Sequence, residues 1–210
     1  YQRPVPEEVV IEQAFDMLRT AKRPVILAGN GCIRKRASQQ LRLFCEKTGT
    51  PVISTFMAKG CVDMDAEYCL YTIGLQSRDL IACAIEAADV VMTIGYDMVE
   101  YPPRLWNSQK DKCIIHADFL PAEIDHHYHP QTELVGDLAN TLRFLNERFE
   151  KVEKPAYDFK PLLAARRDMK EELERHANDQ TEDLIRPQKV LWDVRQVMGK
   201  KDILLSDVGA

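Results

Sequence analysis

Three glycine-bearing turns are the places where this chain can offer chemistry to a ligand. Gly29-Asn30-Gly31 follows the apolar run Val25-Ile26-Leu27-Ala28, Gly95-Tyr96-Asp97 follows Val90 to Ile94, and Gly136-Asp137 follows Leu134-Val135. At the carboxyl end of a parallel strand, such turns present backbone N–H groups and side chains to anions and small molecules. Two readings of Gly29-Asn30-Gly31 stay open: a tight turn whose glycines supply positive φ, or a phosphate-facing loop. A complete dinucleotide fingerprint or P-loop would need glycine where Arg34 stands, ahead of Lys35, so NAD and ATP are disfavoured. Gly74 and Asp118 fall near the same rim. The candidate rim is thus Gly29, Asn30, Gly31, Gly74, Gly95, Tyr96, Asp97, Asp118, Gly136 and Asp137. Taken singly, each is ordinary turn or cap chemistry; a shared rim is what raises a vestigial nucleotide site.

Other reactive groupings fare worse. His126, His127 and His129, with Asp118 and Asp125 nearby, invite a metal reading, yet adjacent imidazoles point apart and no pair has the i,i+4 spacing of a helical zinc site. A polar surface loop is the expectation there. No G-x-S-x-G elbow occurs, and no Ser or Cys is tied by local motif to a His. The six cysteines (Cys32, Cys45, Cys61, Cys69, Cys83, Cys113) form no C-x-x-C pair and read as reduced thiols in or near the core.

The elements that must position these turns alternate between helices and short apolar strands. Val10, Ile11, Ala14, Phe15 and Leu18 make one helical stripe between Glu7 and Ala21. A second helix carries Ile33, Ala37, Leu41, Phe44 and Cys45 and closes at Gly49. Strands are expected at 25–28, 51–54, 90–94, 113–116 and 134–135, with helices at 77–88 and 138–149. Continuous apolar strands suit a sheet covered on both faces, so the expected fold is α/β, a doubly wound, mostly parallel Rossmann-like sheet. From Lys151 to Arg186 nearly half the residues are charged, which marks a linker with a solvated helix near 161–177. A further helical stripe, Val190, Leu191, Val194, Val197 and Met198, precedes an expected strand Ile203-Leu204-Leu205.

Composition bounds the function. With 45% hydrophobic and 29% charged residues among 210, the balance is that of a soluble globular protein. The net charge of −5 has no basic block to attract a phosphate backbone, which argues against nucleic acid. No apolar run reaches the ~20 residues of a membrane span, and Tyr1 to Pro6 resembles neither a signal nor a transit peptide. A cytoplasmic location is the expectation.

Longer stretches resemble thiamine diphosphate-dependent enzymes. Lys22-Arg23-Pro24-Val25-Ile26-Leu27-Ala28-Gly29-Asn30-Gly31 is similar to the opening strand of their central domain, as found in acetohydroxyacid synthases and pyruvate oxidases. Pro51-Val52-Ile53-Ser54-Thr55 with Lys59-Gly60 looks like the second strand and its loop. Ala88 to Asp97, with Glu100-Tyr101 and Trp106-Asn107, resembles more specifically the catabolic, flavin-independent acetolactate synthases. Ile114 to Asp118, Ile124-Asp125-His126 and Glu133 to Asp137 continue the likeness in order.

The resemblance implies a layout of a central nucleotide-fold domain at 1–150, a charged, partly helical linker at 151–186 and the start of a diphosphate-binding domain at 187–210. It implies that Val208, Gly209 and Ala210 help hold thiamine diphosphate in a longer enzyme. The family's catalytic glutamate and its magnesium motif have no counterpart here, so the segment alone is expected to be inactive and to hold no cofactor. Where flavin-binding members carry an Arg-Phe-Asp-Asp-Arg-like stretch, this chain has Tyr96-Asp97-Met98-Val99-Glu100, which argues against FAD. The implied parent activity joins two pyruvates into acetolactate with loss of carbon dioxide, in a homo-oligomer using thiamine diphosphate and magnesium. Another thiamine-dependent carboligase or decarboxylase, and a stand-alone nucleotide-binding module, are the alternatives.

Overall fold

The computed structural model describes residues 3–34, 37–74, 80–177, 184–199 and 201–205. Six strands form one sheet: β1 (Pro24–Ala28), β2 (Val52–Ser54), β3 (Cys69–Thr72), β4 (Val90–Ile94), β5 (Cys113–Asp118) and β6 (Thr132–Val135). Their order is β3-β2-β1-β4-β5-β6 and every pairing is parallel. That order is the doubly wound one, with β1 and β4 side by side at the centre.

Side chains alternate across the sheet, so each strand feeds two layers. Ile26, Ala28, Val52, Met92, Ile94, Ile115, Ala117 and Leu134 join one core with α1 (Glu8–Thr20), α2 (Gly31–Arg34), α3 (Ser38–Thr48) and α6 (Leu138–Phe149). Ile11, Ala14, Phe15 and Leu18 of α1 are buried at the spacing of one helical face. Phe149 closes this layer, with its ring 4.9 Å from Phe15 and 5.4 Å from Phe44, both edge-on. Burying an aromatic of this size contributes about 2–3 kcal/mol. The opposite parity, Val25, Leu27, Ile53, Val91 and Ile114, is equally buried. α4 (Ala82–Ala87) and α5 (Pro103–Trp106) lie among the crossovers that bracket β4.

Local chemistry sets several boundaries. Asp137 caps α6 by accepting the Asn140 N–H at 3.0 Å. Gly49, at φ 78°, ends α3 and donates its N–H to Cys45 O at 2.7 Å. All six cysteines are free thiols, four of them buried; Cys83 is exposed and Cys113 half-buried.

Several expectations need correction. The single helix from Ile33 to Cys45 is two, α2 and α3, and Ala37 turns its N–H back to Cys32 O at 3.1 Å. β3 was not anticipated. It is a short edge strand with irregular register against β2, and its Tyr71 has φ 68°. Arg166 holds it in place, donating to Cys69 O at 2.9 Å and stacking its guanidinium 5.3 Å from the Tyr71 ring. Of the helix expected at 77–88, residues 77–79 lie outside the described residues and the helix itself begins at Ala82. β5 continues to Asp118 and β6 begins at Thr132, each longer than the apolar run that signalled it.

The chain divides into two compact units, Tyr1–Arg167 and Asp168–Ala210. α7 (Lys160–Ala177) matches the solvated helix expected near 161–177. In the second unit α8 (Pro187–Val197) carries the anticipated stripe but buries none of its residues. Ile203, Leu204 and Leu205 are exposed and form no strand. An apolar run becomes a strand only when a neighbour takes up its backbone hydrogen bonds, and no strand among the described residues does so.

Candidate functional site

In a sheet of this order the chain runs outward from β1 to β3, then crosses to β4 and runs the other way. The crevice between the carboxyl ends of β1 and β4 is where such folds bind ligands. Gly29-Asn30-Gly31 and Gly95 meet there. A Cβ built on Gly29 would lie 2.4 Å from Gly95 O, one on Gly31 2.5 Å from Gly95 Cα, and one on Gly95 2.4 Å from Gly31 Cα. Gly95 also has φ 58°, in the left-handed region. The two loops therefore touch backbone to backbone.

This contact decides what the turn can do. Gly29 donates its N–H to Ile94 O at 2.9 Å and Gly31 to Gly95 O at 2.8 Å. Cys32 donates to Gly29 O at 3.0 Å, and Gly95 to Ala117 O at 2.9 Å. A phosphate-facing loop needs such N–H groups aimed outward, and here they are spent on neighbouring carbonyls.

The remaining rim candidates are spread along the sheet. Gly74 is exposed beyond β3, at one edge. At the other, Gly136 donates to Asp118 O at 2.8 Å, and Asp137 donates its backbone N–H to Pro4 O at 2.8 Å and pairs with Arg3 at 3.3 Å. A Cβ on Gly136 would strike Pro6 Cδ at 2.7 Å, so the segment from Arg3 to Pro6 lies across this end of the sheet. Asp97 is exposed and accepts the Val99 N–H at 2.9 Å. The Asp118 carboxylate accepts from Phe119 at 2.5 Å and Leu120 at 3.3 Å. At the β1–β4 crevice the Gly29 and Gly31 turn meets the backbone of Gly95 and Tyr96, while Asp118 and Gly136 pair separately at the β5–β6 edge. Val208, Gly209 and Ala210 lie outside the described residues.

Tyr96 needs correction as a rim group. It is buried, donates its hydroxyl to Tyr101 O and accepts from Trp106 Nε1 at 3.1 Å. Its ring joins those of Trp106 and Tyr128 in edge-on and tilted contacts. Burial, only partly offset by the Trp106 hydrogen bond, pushes the Tyr96 phenol well above its ordinary range.

Two groups went unrecognised as buried. Glu100 is only 8% exposed and Thr55 not at all, and neither Glu100 Oε2 nor Thr55 Oγ1 has a hydrogen-bond partner. Burial raises the Glu100 pKa first, and Asp97 adds to it; the neighbouring Thr55 hydroxyl, Arg34 and the Met57 backbone pull the other way. A polar interruption after an apolar strand is the signal available for Glu100, but nothing in the local sequence says that the loop folds inward. Among the described residues, no group of three or more His, Cys, Asp or Glu is placed to hold a metal ion. The histidine loop is turned by its own contacts: Asp125 accepts the His127 N–H at 2.9 Å, and the His126 and His127 rings lie 5.0 Å apart at 82°.

Comparison with known proteins adds to this geometry. The family model for the thiamine pyrophosphate enzyme central domain matches residues 11–145. An acetolactate synthase of Bacillus subtilis (strain 168) is 34% identical over 204 residues, covering 95% of this chain and 35% of the relative. The acetolactate synthase large subunit of Corynebacterium glutamicum is 30% identical over 99% of the chain and 34% of its own length. A glyoxylate carboligase of Escherichia coli O157:H7 is 32% identical over 72% of the chain and 26% of its own length. The chain thus spans about a third of the length of the curated relatives it matches.

The glycine contact makes a graded prediction. Gly95→Ala combines positive φ with overlap against fixed backbone and destabilises the chain by about 3 kcal/mol or more. Gly60→Ala shares a positive φ of 90° but meets nothing within 4 Å, and costs only about 1–2 kcal/mol. Urea unfolding of the two variants checks this; equal losses contradict it.

Proposed function

The chain belongs to the family of thiamine pyrophosphate enzyme central domains, and from that we propose that it is the central segment of a thiamine diphosphate-dependent acetolactate synthase. The observation that carries this is the likeness to an acetolactate synthase along 95% of the chain, in a family whose model covers the whole sheet. The parent enzyme, on this proposal, joins two pyruvates into acetolactate and releases carbon dioxide. It works as a homo-oligomer in the cytoplasm. No described helix is long and apolar enough to cross a membrane.

The layout we propose is a central domain at 1–150, a charged linker at 151–186 and the beginning of the diphosphate-binding domain at 187–210. In the longer protein, Val208, Gly209 and Ala210 help hold the cofactor diphosphate. The described residues do not fit thiamine diphosphate and magnesium: they offer no metal-holding group, and the Gly29 and Gly31 N–H groups are committed within the chain. No catalytic step is assigned to them. Their contribution is architectural: a rigid parallel sheet from which flanking domains take their positions.

The test is to assay the longer protein that contains this segment, with thiamine diphosphate and magnesium, on pyruvate and on glyoxylate. Acetolactate formation from pyruvate is the expected result, and the 210-residue chain alone shows no turnover. Glyoxylate as the preferred substrate would overturn the synthase reading in favour of a carboligase.

We further propose that the parent enzyme carries no flavin. A flavin dinucleotide brings an anionic pyrophosphate, which good sites meet with helix N-termini and cations. After β4 this chain sets Asp97 and Glu100 instead, beside a turn whose Gly29 and Gly31 amides are spent. Expressed in flavin-replete cells, the purified protein is colourless and stays so after incubation with FAD and gel filtration. A stoichiometric flavin absorption spectrum would contradict this.

A further inference from the structure

Thr93, His116 and Glu133 form a polar row across β4, β5 and β6, since Thr93 pairs with His116 and His116 with Glu133. Tyr128 lies on this row, 1% exposed, with its ring edge-on to His116. Thr93 Oγ1 is 2.6 Å from Tyr128 OH, and Tyr128 OH is 2.8 Å from His116 Nδ1. On the far side of the ring, His116 Nε2 is 3.1 Å from Leu120 O. A carbonyl only accepts, so Nε2 carries a hydrogen whatever the charge on the ring.

The direction of the other bonds follows. With a neutral ring, Nδ1 accepts from Tyr128, and Tyr128 accepts from Thr93. When a proton from solvent binds Nδ1, the sequence reverses: Nδ1–H donates to Tyr128, Tyr128 donates to Thr93 Oγ1, and Thr93 turns its hydrogen to Ile115 O, 3.3 Å away. No buried donor is stranded in either state. The phenol keeps its own proton throughout, because burial, only partly offset by the Thr93 hydrogen bond, pushes the Tyr128 pKa up.

The charged groups that act on this row are acidic. Asp118 on β5 and Glu133 on β6 both act on Tyr128, and both hold the loop after β5: Asp118 accepts from Phe119 and Leu120, Glu133 from Ala122 at 2.8 Å. β4 contributes only neutral Thr93, α5 Trp106, and the turn after β4 the un-ionised Tyr96. Further along the Tyr128 loop, Asp125 pairs with His127. The loop that His116 grips through Leu120 O exposes Phe119, Leu120 and Ile124.

We propose that Thr93, Tyr128 and His116 form a reversible hydrogen-bond relay through which the core takes up a proton on His116, and that this proton tightens the latch on the exposed apolar loop from Phe119 to Ile124. The tightening comes from the Nε2–H to Leu120 O bond, which becomes charge-assisted; such bonds are roughly twice as strong as neutral ones.

Thr93→Val tests the relay, because it removes the final acceptor while the neutral ring keeps its bond from Tyr128. The variant's folded state disfavours the imidazolium that the wild type accommodates, so its stability relative to wild type falls as pH drops. Between about pH 8 and about pH 5.5, where histidine is the side chain type that changes charge, its Tm deficit is expected to grow by about 3 °C or more. Thr93→Ser, which keeps the hydroxyl, follows the wild type at both pH values. Amide exchange at Phe119, Leu120 and Ala122, corrected for intrinsic rates, slows on acidification in the wild type and not in Thr93→Val. A deficit that is the same at both pH values overturns the proposal. If Thr93→Val does not fold, nitrogen-15 NMR of His116 in the wild type decides: a neutral ring protonated on Nδ1 rather than Nε2 overturns it, and an Nε2–H ring that gains Nδ1–H on acidification supports it.

Discussion

Contact between the backbones of Gly31 and Gly95 sets the shape of the whole carboxyl rim. β1 and β4 are paired along their full length, Pro24 with Val90 through Ala28 with Ile94, so the turns that follow them leave the sheet at the same level. Any side chain at Gly29, Gly31 or Gly95 would force those turns apart. Because all three are glycine, the turns interlock and satisfy one another's hydrogen-bonding groups. The crevice that this topology usually opens to a ligand is closed by main chain. The segment after Gly95 turns inward, taking Tyr96, Glu100, Tyr101 and Trp106 into the protein.

The two faces of the sheet consequently have different physics. On the side of α1, α3 and α6 the core is apolar, closed by Phe15, Phe44 and Phe149. On the other side, under the rim, Thr93, Tyr96, Trp106, His116 and Tyr128 form a buried layer of hydrogen bonds. Bonds of this kind contribute about 1 kcal/mol each when made and cost more when one partner is lost. They specify how the strand-end loops sit rather than adding bulk stability. The orphan oxygens of Glu100 and Thr55 mark where that specification is incomplete.

What could be read from the sequence was whatever depended on a continuous pattern. β1 is an uninterrupted apolar run and β4 one broken only by Thr93, and both lie where the runs lie. α6 begins after the capping Asp137 and ends at Phe149, as its stripe indicates. The family resemblance agrees with the central-domain match at 11–145. Features set by distant partners were not legible. β3 depends on Arg166 for its anchorage, and nothing within Cys69 to Thr72 announces that. Tyr96 looked like a rim residue because it follows a strand-end glycine; its burial comes from Tyr101 and Trp106. Ile203 to Leu205 has the composition of a strand, and among the described residues no neighbour makes it one. His116, a polar residue inside an apolar strand, was a visible anomaly, but its meaning depends on Tyr128 twelve residues later.

Amide hydrogen exchange at Gly29, Gly31 and Gly95 tests most directly whether main chain closes the crevice. Donated to Ile94, Gly95 and Ala117, these N–H groups should exchange as slowly in the free chain as the interior amides of β1 and β4, with no change on adding inorganic pyrophosphate or ADP. Fast exchange in the free chain that slows when either anion is added would show an open, ligand-facing loop and contradict the account.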